Sequence, residues 1–235
     1  MPHPAPLNIL VFAAHPDDEV LGCGATIAKH VTQGDTVSVV ILAEGVTGRD
    51  EIRNTEHRQS ELCALHQSAK TANDILGVQH LTLHTFPDNR MDSLDRLDIV
   101  KTIETFIEKT KPSVVYTHHA GDVNIDHRRI HEAVVTACRP TPGHCVRQLL
   151  FFEVASSTEW QPPASGQPAF TPNWFVDVSA TLEAKLRALS AYDSEMRPWP
   201  HARSLQALEH LSRWRGASVG CEAAEAFMLG RQIID

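Results

Sequence analysis

The sequence predicts an α/β fold built on a mainly parallel sheet, and three observations predict it. Apolar, β-branched runs of strand length alternate with longer segments of helical periodicity. Two of those runs, residues 8–14 (NILVFAA) and Thr36–Ala43 (TVSVVILA), are nearly continuous in apolar residues, as expected of strands covered on both faces. The two most polar loops, after the first strand and after Thr117, follow strands that right-handed βαβ connections bring to one sheet edge.

Taken in order, the first strand ends at His15-Pro16-Asp17-Asp18, which cannot continue a buried strand, and residues 19–32 follow as a helix ending near Gly34. After the second strand, Leu62, Leu65, Ala69, Ala72 and Leu76 carry a helix over residues 54–76, closed by Gly77. Residues 80–84 make a short strand, and Leu94, Leu97, Val100, Ile103 and Ile107 mark a helix over 92–109. A strand at 113–117 and a helix at 126–138 complete the regular part. Beyond Arg139 the pattern weakens: strands at 148–154 and 174–178, helices at 178–192 and 202–214, and a surface loop at 161–172 rich in Pro, Gly, Ala and Gln. With no repeat and no clear linker, residues 1–235 form one domain, its core at about 8–138 and a C-terminal elaboration at about 139–235.

Hydrophobic residues make up 42% of the chain, enough for a substantial core, and the net charge of -8 excludes charge-driven binding to nucleic acid or an anionic membrane. No apolar run approaches the roughly 20 residues of a spanning helix. The N-terminal Met1-Pro2-His3-Pro4-Ala5-Pro6 lacks the pattern of a secretory signal. Five scattered cysteines without a CxxC pair suggest free thiols, so a cytoplasmic protein is expected.

Fourteen histidines leave metal chemistry open, and their positions narrow it. His15-Pro16-Asp17-Asp18-Glu19 leaves the first strand, and adjacent carboxylates there raise one another's pKa unless a cation compensates. Helix capping by Asp17 or Asp18 explains that loop equally well on its own. The loop after Thr117, His118-His119-Ala120-Gly121-Asp122-Val123-Asn124-Ile125-Asp126-His127, shifts the balance, because two clusters of nitrogen and oxygen ligands leave matched strands. A mononuclear catalytic zinc needs three protein ligands and one open position. His15, Asp18 and a histidine of the second cluster supply them, His127 being preferred and His131 the rival. Asp17 is then free to act as general base toward a zinc-activated water. His118, His119 or the protonated Asp17 would deliver a proton to the departing amine, and Asp126 would orient His118 or His119.

On these residues the chain resembles the PIG-L/LmbE-like deacetylases, marked by an A-H-P-D-D-E loop that Ala14 to Glu19 match completely. The second family signature, a histidine-containing stretch ending in Asp/Asn-His, is similar to Asn124-Ile125-Asp126-His127. The resemblance implies a Rossmann-like three-layer sandwich, zinc on His15, Asp18 and His127, and Asp17 as base. It also implies removal of an N-acetyl group from a small amino-sugar substrate of N-acetylglucosamine type. Many relatives carry histidine where this chain has Asn124, which can donate a hydrogen bond to an oxyanion but cannot deliver a proton. The family's substrate-contacting arginine matches Arg58, which with Glu61 also makes an ordinary i,i+3 pair. Asp88 and Arg90, in the strand-exit loop Pro87-Asp88-Asn89-Arg90, are further candidate contacts for sugar hydroxyls or a phosphate.

Other readings fit less well. Gly22-Cys23-Gly24 lacks the third glycine of a dinucleotide fingerprint and lies inside a helix, so close packing on the sheet explains it better than NAD binding. A phosphoesterase usually holds two ions with more carboxylates, and an amidase acting on another N-acyl amine is the nearer alternative. A non-catalytic sugar-binding module would not need Asp17, and no Gly-x-Ser-x-Gly elbow is present. Trp160, Trp174, Trp199 and Trp214 are read as packing residues, with sugar stacking or a subunit contact in a homo-oligomer also open to them.

Overall fold

The computed structural model describes residues 5–162 and 166–234. Residues 1–4 and 163–165, at the start of the chain and within the predicted loop 161–172, lie outside the described residues. Seven strands form one sheet: β1 (Asn8–Ala13), β2 (Thr36–Ala43), β3 (His80–Phe86), β4 (Val114–His118), β5 (Gln148–Phe152), β6 (Trp174–Asp177) and β7 (Ala224–Gln232). Their order is β3-β2-β1-β4-β5-β7-β6. The pairs joining β3 through β5 are parallel, whereas β7 runs antiparallel to both β5 and β6.

The helices are α1 (Asp18–Thr32), α2 (Gln59–Leu76), α3 (Arg96–Thr110), α4 (Ile125–Ala137), α5 (Leu182–Ser190) and α6 (Leu205–Ala217). Residues of α1, α2, α5 and α6 pack with Ile9, Val11 and Ala13 on one face of the sheet. Those of α3 and α4 pack with Leu10 and Phe12 on the other. Strand β1 is therefore covered on both sides, which is why its sequence does not alternate. The three layers of the sequence-based expectation are present, and the C-terminal part extends the same sheet.

Helix α2 begins at Gln59, five residues later than the periodicity suggests, and ends at Gly77 in the left-handed conformation (φ 79°) that glycine adopts without a Cβ clash. Strand β7 was not anticipated. Its AEAFMLGRQ run includes the buried Glu225 on a stretch otherwise rich in helix formers, so neither apolar alternation nor β-propensity announces it.

Parallel order 3-2-1-4-5 places the reversal of winding between β1 and β4. The loops leaving those two strands part to opposite faces, and the crevice between them is where doubly wound sheets bind ligands. The Gly22-Cys23-Gly24 segment lies in α1, with Cys23 out of helical geometry (φ -147°, ψ 24°). A Cβ on Gly22 would stand 2.3 Å from the ring of Phe152, so this glycine lets the helix lie against β5. Gly22→Ala is expected to cost about 1–3 kcal/mol through overpacking, read as a lower urea midpoint with unchanged slope. An unchanged midpoint would mean that the contact is not tight.

Candidate metal centre and active-site cleft

His15 stands in the loop after β1, Asp18 at the first turn of α1, and His127 in the first turn of α4. These elements start from the adjacent strands β1 and β4, so chain topology brings the three side chains together. Asp18 Oδ2 lies 3.2 Å from His15 Nδ1 and 3.1 Å from His127 Nε2, and the two ring nitrogens are 3.4 Å apart. Asp18 Oδ1 is buried without a hydrogen-bond partner.

The other nitrogen of each imidazole meets a carboxylate. His15 Nε2 is 3.0 Å from Asp126 and 3.2 Å from Asp88, and His127 Nδ1 is 3.1 Å from Asp122. With those nitrogens as N–H donors, the lone pairs of His15 Nδ1 and His127 Nε2 are left toward Asp18. Metal-ligating histidines are held in this way. Tetrahedral ligands about 2.0–2.1 Å from an ion stand about 3.3 Å from one another, close to the spacings here. The set fits a single divalent ion.

A second cluster, His15 with Asp88 and Asp126, is also close enough to share an ion. Its carboxylates are already occupied. Asp126 accepts from the backbone N–H groups of Asn89 and Met91 (2.7 and 2.9 Å), and Asp88 accepts from the backbone N–H of Gly48 and from the Asn89 side-chain amide (2.8 and 3.0 Å). It serves as support for His15.

Charge in this cluster follows from its burial. Burial works to raise Asp18, but His127 and His15 outweigh it and hold the carboxylate well below its ordinary range. Burial works to lower His127, and Asp18 and Asp122 push it up to about 9. Asp17 shows the opposite balance. Burial raises it well above the carboxylate range, Arg203 opposes this, and Asp18, Glu195 and Glu19 add to the rise. Its backbone is strained, with φ 120°. Its carboxylate makes no capping bond to α1 and instead meets Arg203 Nη1 at 2.8 Å, so helix capping does not explain this loop.

Glu19 closes the motif from behind. Its carboxylate accepts from Tyr192 (2.6 Å), Asn73 (2.9 Å) and the Asp17 N–H (3.1 Å), and burial raises it to about 7.

The cleft beside these groups has a volume of about 190 Å³ and is lined by His15, Asp17, Asp88, Asn124, Glu195 and Arg203, among others. Arg49 and Glu195 pair across it at 2.8 Å. Asn124 caps α4, its side-chain oxygen accepting the Asp126 N–H at 2.8 Å, and its amide donates to Asn89 at 2.9 Å.

Several expected roles move to other residues. Asp126 orients His15, not His118 or His119. His118 is buried behind His127, stacked on it at 3.9 Å, and its Nε2 accepts the Ala14 N–H at 2.8 Å. His119 is 2.8 Å from the Pro168 carbonyl, and neither histidine lines the cleft. His131, the rival ligand, bonds the His118 carbonyl at 2.9 Å and lies outside the cluster. Arg58 grips Asp50 (2.6 and 2.8 Å) and Glu61 (2.6 Å), and Arg90 donates to the carbonyls of Asp50 and Glu51. Both guanidinium groups brace the loop after β2.

Asp122, Arg203, Glu19 and Tyr192 are contributors that sequence reasoning missed. Asp122 lay within the quoted histidine cluster, so its proximity to His127 was the available signal. Arg203 is 186 residues from Asp17 and had none.

An α/β protein with a metal-competent His–Asp–His cluster at its switch point is the class that fold and site define. Within it, the chain belongs to the PIG-L family, described as GlcNAc-PI de-N-acetylase, which matches residues 10–138. It is 32% identical to the uncharacterized deacetylase YaiS of Escherichia coli, over 80% of this chain and 91% of that protein. It is 28% identical to the diacetylchitobiose deacetylase of Thermococcus kodakarensis, over 80% of this chain and 70% of that one. In fold it is similar to the conserved protein TT1542 of Thermus thermophilus, with a TM-score of 0.74, 24% identity and 97% of each chain covered. No helix among the described residues is long and apolar enough to cross a membrane.

Proposed function

We propose that the chain is a zinc-dependent hydrolase that removes the acetyl group from the amide nitrogen of an N-acetylglucosamine-type sugar. The observation that carries this reading is the convergence of three donor atoms 3.1–3.4 Å apart, each imidazole backed by a carboxylate, beside a cleft that holds Asp17. His15, Asp18 and His127 would hold the ion. When bound, zinc supplies a Lewis acid for the amide carbonyl and lowers the pKa of a water to about 7. The sugar comes from family membership and from the diacetylchitobiose deacetylase among the relatives. Free thiols at all five cysteines fit a reducing cytoplasm, which is the compartment we assign.

The protein's own groups divide the remaining work. Asp17, which lines the cleft beside the three donor atoms, takes the proton of the attacking water. Arg203 fixes the Asp17 carboxylate in direction through their 2.8 Å contact. Asn124 lines the cleft as a neutral donor, without a transferable proton. His118 and His119 lie away from the cleft, so protonated Asp17 is the group assigned to return the proton to the departing amine. His118 keeps a positioning role, its ring stacked on His127.

Acetate release from N-acetylglucosamine and N,N'-diacetylchitobiose tests the proposal. A chelator is expected to abolish turnover, zinc to restore it, and metal analysis to find about one ion per chain. Turnover that survives complete metal removal would overturn the mechanism.

A further inference from the structure

We infer that Glu195 is a specificity-determining residue: by occupying Arg49 across the cleft it keeps anionic amino sugars out, so that the sugar taken up is uncharged. The inference rests on the deacetylase reading for the reaction that follows binding.

Three carboxylates line the cleft, those of Asp17, Asp88 and Glu195, against two guanidinium groups, those of Arg49 and Arg203. Arg203 is committed to Asp17 at 2.8 Å and to the Ser156 hydroxyl at 2.6 Å. Arg49 is committed to Glu195, its Nη2 donating to both carboxylate oxygens at 2.8 and 3.0 Å. Asp88 meets His15 Nε2 at 3.2 Å, an imidazole that is neutral when its other nitrogen holds an ion. The arginines further along the loop after β2 are engaged as well, Arg53 by Glu44 and Arg58 by Asp50 and Glu61. Carboxylates therefore outnumber guanidinium groups around the cleft, and each lining guanidinium already faces a carboxylate.

The Arg49–Glu195 pair is too exposed to contribute much to folding, since the Arg49 side chain is 45% accessible. Both ends are nonetheless held in place. Glu195 follows α5, its N–H donating to the carbonyl of buried Tyr192 at 2.8 Å and its Oε1 accepting from Ser194 at 3.2 Å. Arg49 ends the turn Thr47–Arg49, whose Gly48 N–H is fixed on Asp88 at 2.8 Å. Orientation gives the pair its selectivity. The Glu195 carboxylate is only 12% accessible, so the acid is the more enclosed partner and the guanidinium the outer one. An anion in a cleft of about 190 Å³ meets like charge that water screens poorly, and the cation that would balance it is taken. A neutral sugar meets no such repulsion. Its hydroxyls donate to the carboxylates and accept from Arg49 N–H groups other than those of Nη2.

The test uses full-length, zinc-loaded protein. Acetate release is measured for N-acetylglucosamine, its 6-sulfate and its 1-phosphate, which carry charge at different ends of the ring. Wild type is expected to prefer the neutral sugar over at least one anionic sugar by about tenfold or more in kcat/KM. Glu195→Gln should cut that preference about tenfold, through KM, by releasing Arg49 for a charge-assisted hydrogen bond. The double variant Glu195→Gln/Arg49→Met should restore it. Calorimetry with the same sugars in the Asp17→Asn background, with Glu195 intact and as Glu195→Gln, reads binding apart from turnover. Equal use of all three sugars by wild type, equal losses for all three in Glu195→Gln, an unchanged preference, or a gain that survives Arg49→Met would each overturn the assignment, as would no binding of any sugar. A calorimetric preference for the neutral sugar that Glu195→Gln erases, without acetate release from any sugar, would uphold the selection while refuting the deacetylase reading.

Discussion

Asp17→Asn is expected to leave the fold and the bound zinc in place while reducing kcat for acetate release by about 10²–10⁴-fold, the range of positioned acid–base groups. The asparagine keeps the shape of the side chain and one acceptor for Arg203, so the 2.8 Å contact has a substitute. What it loses is the ability to accept a proton. Asp17 contributes no donor atom to the His15–Asp18–His127 set, so metal content should stay at about one ion per chain. Turnover and metal analysis on the same preparation decide the matter. Full activity in Asp17→Asn would remove Asp17 from the mechanism, and a variant that loses both zinc and activity would show a structural role instead.

Lys185→Met is expected to destabilise the protein by about 3–5 kcal/mol, because it leaves Glu225 buried with its charge uncompensated. Lys185 Nζ donates to Glu225 at 2.6 Å and to the Leu21 carbonyl at 2.8 Å. Glu225 in turn accepts the N–H groups of Ala25 and Thr26 at 3.1 and 2.7 Å. Leu21 O and Ala25 N–H are partners that an unbroken α-helix would join to one another. The ion pair thus occupies the break at Cys23 and satisfies backbone groups on both sides of it. Adding Glu225→Gln removes the orphaned charge while keeping one oxygen for those N–H groups, so the double variant should recover part of the loss. Urea titration of the two variants checks this, and a Lys185→Met protein within about 1 kcal/mol of wild type would show that the charges are solvated.

The parts of this protein legible in its sequence share one property: their signal is local. The apolar runs of β1 and β2 declared buried parallel strands, and Ala14 to Glu19 declared the family within six residues. His127 was separable from His131 only in part, since both stand on one helix and just one of them turns toward Asp18. Asp126 was given the wrong histidine because its partner depends on the loop after β3, which delivers the Asn89 and Met91 N–H groups. Arg58 was equally readable as a helix ion pair and as a substrate contact; it makes the pair with Glu61, and its grip on Asp50, eight residues away in the loop after β2, had no signal in the sequence. Arg203 had no legible role, for nothing near it in the chain refers to Asp17. Strand β7 was hidden for the same reason, its buried Glu225 making sense only opposite Lys185.

The clustered His15, Asp18 and His127, proposed to hold the ion, all lie within the first 138 residues, whereas the groups that aim their neighbours arrive from Ser157 and Thr158, Tyr192 and Arg203. Exchanging the last hundred or so positions between two relatives would therefore not be a neutral way to swap specificity. Such a hybrid should still capture zinc and yet turn over poorly until those four anchors are restored together. Selection acting on the tail for new sugars is constrained by the same wiring.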